Sequence, residues 1–194
     1  MAAALLTPNE VAALAGASKT VVEKALEQKV FAARPRSGSP ADRRLLPLHA
    51  VALAAAVKSL GRRLSVSDKR LVARKLAAMS PSALKTAEIE VAPAVILLVG
   101  LLAREAVERA ERYAEDRDAF IEVVDGVQGG RPVIRDTRLT VSAIHGRVAS
   151  GDTIETLMED YPDIPRRSFE AALLYAQTHP QLGRPVQRRR ESEV

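Results

Sequence analysis

Apolar residues over the first thirty positions recur at helical spacing in two short runs. Val11 and Leu14 mark the first run, and Val21, Val22 and Leu26 mark the second. Thr7-Pro8-Asn9-Glu10 is a helix start: Thr7 caps, Pro8 fits the first helical position, and Glu10 stands where a capping box needs it. Gly16-Ala17 predicts a turn, and Ser18 predicts the cap of a second helix running to about residue 28. Residues 30–33 and 43–46 then read as two short strands. The Pro-, Gly- and Ser-rich stretch 34–42 between them makes a wing-like hairpin. An alanine-rich helix follows over 47–60 and ends at Gly61. Another, capped by Ser65 or Ser67, runs to about residue 79.

Ser80-Pro81-Ser82 breaks the pattern. Beyond it Ala87, Ile89 and Val91 alternate with Thr86, Glu88 and Glu90, the period of a half-buried strand, until Pro93 interrupts. Residues 92–103 form the longest apolar run. It is too short and too interrupted for the ~20 residues of a membrane span, so it reads as core, a second strand merging into a helix. Residues 104–118 are an amphipathic helix with Glu105–Arg109 and Glu108–Arg112 at pairing distance. Residues 120–124 read as a strand. In the stretch 129–141, Gly129-Gly130 permits a turn, and Pro132 disfavours helix just before it. Val133, Ile134, Leu139 and Val141 anchor a polar Arg135-Asp136-Thr137-Arg138. That pattern predicts a short strand, a tight turn and the lead-in to a helix. Three helices follow, over 142–149, 152–160 and 164–178. Their expected core is Ile144, Val148, Ile154, Leu157, Tyr161, Phe169, Ala172, Leu173 and Ala176.

The fold class is therefore mainly α. An N-terminal winged helix-turn-helix occupies 1–80 with a basic extension. A strand-plus-helix dimerisation region and a C-terminal three-helix, helix-turn-helix-like part with short strands share 81–183. Residues 184–194 form a basic tail. Cysteine is absent from the 194 residues, which removes disulfides and thiolate metal sites and fits a cytoplasmic location. No secretory leader is legible at the N-terminus.

Charge sharpens the picture. The net charge of +5 conceals an asymmetry: residues 1–80 carry 14 Lys+Arg against 5 Asp+Glu, and residues 81–183 carry 11 against 17. A basic N-terminal part suits a polyanion, and an acidic remainder suits a basic protein surface. In a helix-turn-helix the second helix enters the major groove by its N-terminal end. That makes Ser18, Lys19, Thr20 and Lys24 the candidate DNA-binding residues, with Arg34, Arg36, Arg43 and Arg44 of the wing as phosphate contacts. Glu23 and Glu27 share the exposed face and oppose this. Catalysis finds no support: His49, His145 and His179 lack metal-ligand spacing. Asp125, Asp136 and Asp152 suit turns and caps better than a metal site. Neither a metal nor a cofactor is expected.

Two resemblances add to this reading. Gly129-Gly130-Arg131-Pro132-Val133-Ile134, Thr137-Arg138-Leu139-Thr140-Val141, Tyr161-Pro162-Asp163-Ile164 and Ala171-Ala172-Leu173-Leu174-Tyr175-Ala176 occur in order. Together they resemble the VapB-like antitoxin family called domain of unknown function 433, over about residues 121–180. Asp136 stands where that family has glycine. Less specifically, residues 6–60 resemble the MerR-type winged fold, without that family's usual aromatic residues. The first resemblance implies a type II antitoxin that neutralises a PIN-like ribonuclease toxin and represses its own operon as a DNA-binding homodimer. Arg184, Arg188, Arg189 and Arg190 of the tail are the candidate toxin-binding residues, suited to an acidic nuclease site. The alternative is a stand-alone dimeric helix-turn-helix transcription regulator with no toxin; a scaffold that binds no DNA is a third class.

Overall fold

The structure, a computed structural model, describes residues 4–31, 34–35, 44–60, 64–123 and 129–180. Residues 34, 35 and 44 are described in their backbone alone. The chain is mainly helical. A two-residue strand β1 (Leu5–Leu6) leads into α1 (Pro8–Ala15), and a turn leads to α2 (Lys19–Glu27). β2 (Arg34–Pro35) and β3 (Arg44–Pro47) pair antiparallel, and β1 joins the other side of β3. The pair of strands predicted over 30–33 and 43–46 is present but shifted. Val30 and Phe31 are buried and lie outside any strand.

The alanine-rich segment forms α3 (His49–Leu60), and every side chain from Ala50 to Ala56 is buried. A helix apolar all round belongs at the centre of a core. Neighbours cover α3 on several sides: α1, α2, α4 (Val66–Ala77) and the long α6 (Val99–Phe120). α6 presents Ala103, Ala106, Val107 and Ala110 to the interior, so two stripes of small side chains let the two helices approach closely. Ser80 caps a short α5 (Pro81–Leu84), and the first core runs on across this stretch, from Leu6 to Ala114.

β4 (Glu88–Ala92) and β5 (Val95–Leu98) form a hairpin in which Ile89 faces Leu97 on the buried side. The apolar run expected as core is only partly so. Ile96 and Leu98, on one face of β5, are exposed, as are Val95 beside the hairpin turn and Leu101 in the first turn of α6. The helix also begins five residues earlier than expected. Neither predicted i,i+4 ion pair forms; Arg109 donates from Nη2 to the carbonyl of Leu14 at 3.0 Å, tying α6 to the end of α1.

β6 (Ile121–Glu122) pairs with β7 (Val133–Ile134), and α7 (Val141–Ala149), α8 (Ile154–Asp160) and α9 (Arg166–Thr178) follow. The stretch 129–141 is the strand, turn and helix lead-in that its residues predict. Asp136 adopts φ +60°, the left-handed conformation of the turn, and Thr140 caps α7 through the amide of Ala143 at 3.1 Å. A second core gathers Ile134, Val141, Ile144, Leu157, Ile164, Phe169 and Ala172. It joins the first through α9, which packs on α6 and α1. Asn9 donates from Nδ2 to the carbonyl of Thr178 at 2.9 Å, and Arg167 meets Asp116 at 2.6 Å.

Candidate nucleic-acid interface

The candidate interface begins with how the first two helices are held. Thr7 and Glu10 form the reciprocal capping box that the sequence predicts: the Glu10 amide donates to Thr7 Oγ1 at 3.2 Å, and the Thr7 amide donates to Glu10 Oε2 at 2.6 Å. The role of Glu10 is larger than a cap. Its carboxylate is fully buried and accepts from Tyr113 Oη at 2.7 Å and from Arg117 Nη1 at 3.1 Å. Burial pushes the Tyr113 hydroxyl far above its usual range, and the negative charge and hydrogen bond of Glu10 push it the same way. For Arg117, burial alone would lower the guanidinium. The charge of Glu10 and the bond to Asp118 outweigh that and raise it. A buried charge needs a partner and satisfied hydrogen bonds. Here both come from α6, more than a hundred residues along the chain, and no local signal in the sequence announces them.

Gly16 closes α1 with φ +59°, and Ala17 donates back to the carbonyl of Ala12 at 2.9 Å. This left-handed cap turns the chain into α2 within three residues. Ser18 stands at the N-cap of α2 as predicted, but its hydroxyl makes no capping bond. Lys19, Thr20 and Lys24 are exposed, as the interface requires. Glu23 and Glu27 are exposed as well. Lys19 is held by Glu23 at 3.4 Å, both side chains being at least half exposed. Such a pair is worth less than about 1 kcal/mol, so it yields readily to a phosphate. Val22 is buried, and α2 ends in a turn where Lys29 takes φ +51° and Val30 donates to the carbonyl of Ala25.

Arg34 and Arg44 lie in the paired strands β2 and β3, in register with Leu45 and Pro35. Arg36 and Arg43 fall outside the described residues, as do Arg184, Arg188, Arg189 and Arg190.

The fold brings to α2 two cations that lie far from it in sequence. A groove of about 480 Å³ opens between α2, α3 and α4. Its floor is apolar, with Val22, Val30, Phe31 and Leu53 among its residues, and Lys24, Lys58 and Lys69 line it with no Asp or Glu among the described residues. Lys58 ends beside Gly16, where an added Cβ would meet its Nζ at 2.9 Å. Lys69 belongs to α4, in the basic extension of the N-terminal part. Lys58, in the last turn of α3, carries no such signal in the sequence. Two other cations of α4 have internal roles: Arg70 donates to the carbonyl of Gln28 at 2.7 Å, closing the end of α2, and Lys75 donates to the carbonyl of Glu90 at 3.1 Å.

The second pair of helices offers a different surface. Arg166 is bound to Glu155 at 2.6 Å and to Glu170 at 2.9 Å, and Arg167 lies on Asp116. The Arg166 guanidinium, through a hydrogen bond and its charge, holds the Glu155 carboxyl below the usual range. The arginines at the start of α9 thus meet carboxylates of the chain itself, in keeping with a structural role. No helix among the described residues is long and apolar enough to cross a membrane.

Comparison with known proteins places part of this chain. Residues 121–176 match the model of a family described as a protein of unknown function, DUF433. An uncharacterized protein of Sinorhizobium fredii (strain NBRC 101917 / NGR234), y4eO, is 33% identical over 81 residues. That alignment covers 42% of this chain and 36% of the relative, so the chain spans about a third of the length of the protein it matches. No solved structure matches.

Proposed function

We infer that the chain is the antitoxin of a type II toxin–antitoxin system. It binds and neutralises a PIN-like ribonuclease and represses its own operon as a DNA-binding homodimer. The part from α1 to α3 with the β2–β3 hairpin acts as a MerR-like winged helix-turn-helix, and the middle region and the C-terminal helices dimerise and hold the toxin. No catalytic step is assigned to the chain.

One observation carries the DNA half: Lys24, Lys58 and Lys69 line a single groove beside α2 without a carboxylate among them. Together with the exposed start of α2 they make a cationic face next to the end of the helix that would enter the major groove. The toxin half rests on what the resemblance of the ordered motifs within residues 121–180 implies. The basic tail is the candidate for the nuclease site, because a cluster of metal-binding carboxylates attracts arginine.

Co-expression with the product of the adjacent gene tests the reading. The expected outcome is growth arrest by that product alone, and rescue with co-elution when this chain is present. Neither toxicity nor complex would leave the stand-alone regulator, and operator footprinting would then decide. Removal of residues 184–194 is expected to abolish neutralisation while leaving DNA binding in place. Unchanged rescue would remove the tail from the mechanism.

A further inference from the structure

The least covered apolar surface among the described residues lies on the β4–β5 hairpin and the first turn of α6. Leu101 is 79% exposed, Ile96 58%, Val95 51% and Leu98 42%. Ile96 and Leu98 alternate on one face of β5, and Leu98 and Leu101 line one groove of about 780 Å³. Contiguous patches of this kind mark interaction surfaces rather than ordinary exposure. β5 has one strand neighbour, β4, and its other edge is unpaired among the described residues. Its sequence, Val-Ile-Leu-Leu, lacks the charge or proline that natural proteins place on an open edge.

We propose that this surface is a homodimer interface, in which β5 pairs antiparallel with β5 of a second copy and the two Leu101 side chains become buried. Three features select a second copy. An apolar edge strand is complementary to itself about a two-fold axis, the geometry of an isologous contact. The register puts Glu88 opposite Leu98 and Glu90 opposite Ile96. In the four-stranded sheet formed by pairing, the apolar rows are therefore central and the carboxylates lie outside, the layout of an interface core and its rim. The groove also bears both signs of charge, with Arg104 beside Glu88 and Glu105. None of these three makes an ion pair within the chain among the described residues; Arg104 donates only to the carbonyl of Lys85. A two-fold axis sets the cation of one copy against the carboxylates of the other. A partner of a single charge sign would leave like charges facing.

The proposal rests on the homodimer in the reading above and not on its DNA or toxin. The full chain is therefore tested alone, by sedimentation equilibrium. The wild type is expected to be a dimer, and Leu101→Glu is expected to weaken the dimer roughly thirty-fold or more, the loss of a central anchor. Because Leu101 is exposed in the single chain, the variant should keep the wild-type circular dichroism spectrum. The chain has no cysteine, so Ile96→Cys introduces one thiol. It should cross-link into a covalent dimer under mild oxidation, whereas Glu159→Cys on α8 should not. A monomeric wild type would overturn the proposal. So would a dimer indifferent to Leu101→Glu, or equal cross-linking at the two positions.

Discussion

Among the described residues, three other than glycine hold left-handed backbone: Lys29, Ala94 and Asp136. Each serves a turn, and each has a physical cost. Lys29 closes α2 at the position where glycine is usual. Left-handed backbone costs an L residue roughly 1–2 kcal/mol, and glycine loses about 0.5–1 kcal/mol of extra freedom on folding, so Lys29→Gly is expected to stabilise by about 0.5 kcal/mol in a urea melt. Asp136 suffers less, since its short polar side chain tolerates this region, so the departure from the family's glycine leaves the turn intact. Gly100 is the opposite case. A Cβ there would come within 2.6 Å of Thr86 Cα, a backbone atom that cannot step aside. Gly100→Ala should therefore cost about 1–3 kcal/mol, the usual penalty of overpacking, read as a lower Tm. Ser168 is buried with no partner for its hydroxyl among the described residues. Ser168→Ala should be neutral, or stabilising by up to about 1 kcal/mol, because it removes an uncompensated polar group.

At the scale of elements, α6 is the strut. It carries Tyr113 and Arg117 to Glu10, Arg109 to the end of α1, and Asp116 to Arg167 of α9. Removing the Tyr113 hydroxyl takes away one hydrogen bond to a buried carboxylate and should cost about 1.5–3 kcal/mol. Glu10→Ala takes away the cap and the buried partner of Arg117, which keeps Asp118 and the carbonyl of Leu5. The cost should be about 2–4 kcal/mol, that of a lost cap and a lost charge-assisted hydrogen bond. Denaturant titration of the two variants separates these roles. His49, the first residue of α3, is held below its ordinary value by burial. The unfolded chain thus binds the proton more tightly, and stability falls as pH drops below 6.5 and is fully present above it. In His49→Gln that part of the pH dependence should vanish, as urea melts on either side of pH 6.5 would report.

For the whole molecule, the charge asymmetry becomes a testable surface. If the groove beside α2 meets phosphate, Lys24→Ala, Lys58→Ala and Lys69→Ala should each weaken binding about equally on all DNA sequences. Each should also reduce the slope of log K against log salt by about one. Changes at Ser18 and Thr20, nearer the start of α2, should alter sequence preference instead. An unaltered salt slope in all three lysine variants would remove this groove from the interface.

The amino-acid sequence by itself determined the elements. Helical periods, the capping signals at Thr7 and Ser65, and the Gly16 turn are local: their energies come from neighbours within four residues. The stretch 129–141 was legible for the same reason, down to a turn that tolerates Asp136. What lay beyond reach was which faces meet. Glu10 reads as a cap, and only packing against α6 makes it a buried ion. Lys58 reads as the end of a helix, and only the approach of α2 and α4 sets it beside Lys24 and Lys69. The run 92–103 reads as core by hydrophobicity alone, yet four of its seven Val, Ile and Leu side chains lie open. Apolar content states that a segment gains by burial; the tertiary structure decides whether this chain supplies the covering surface.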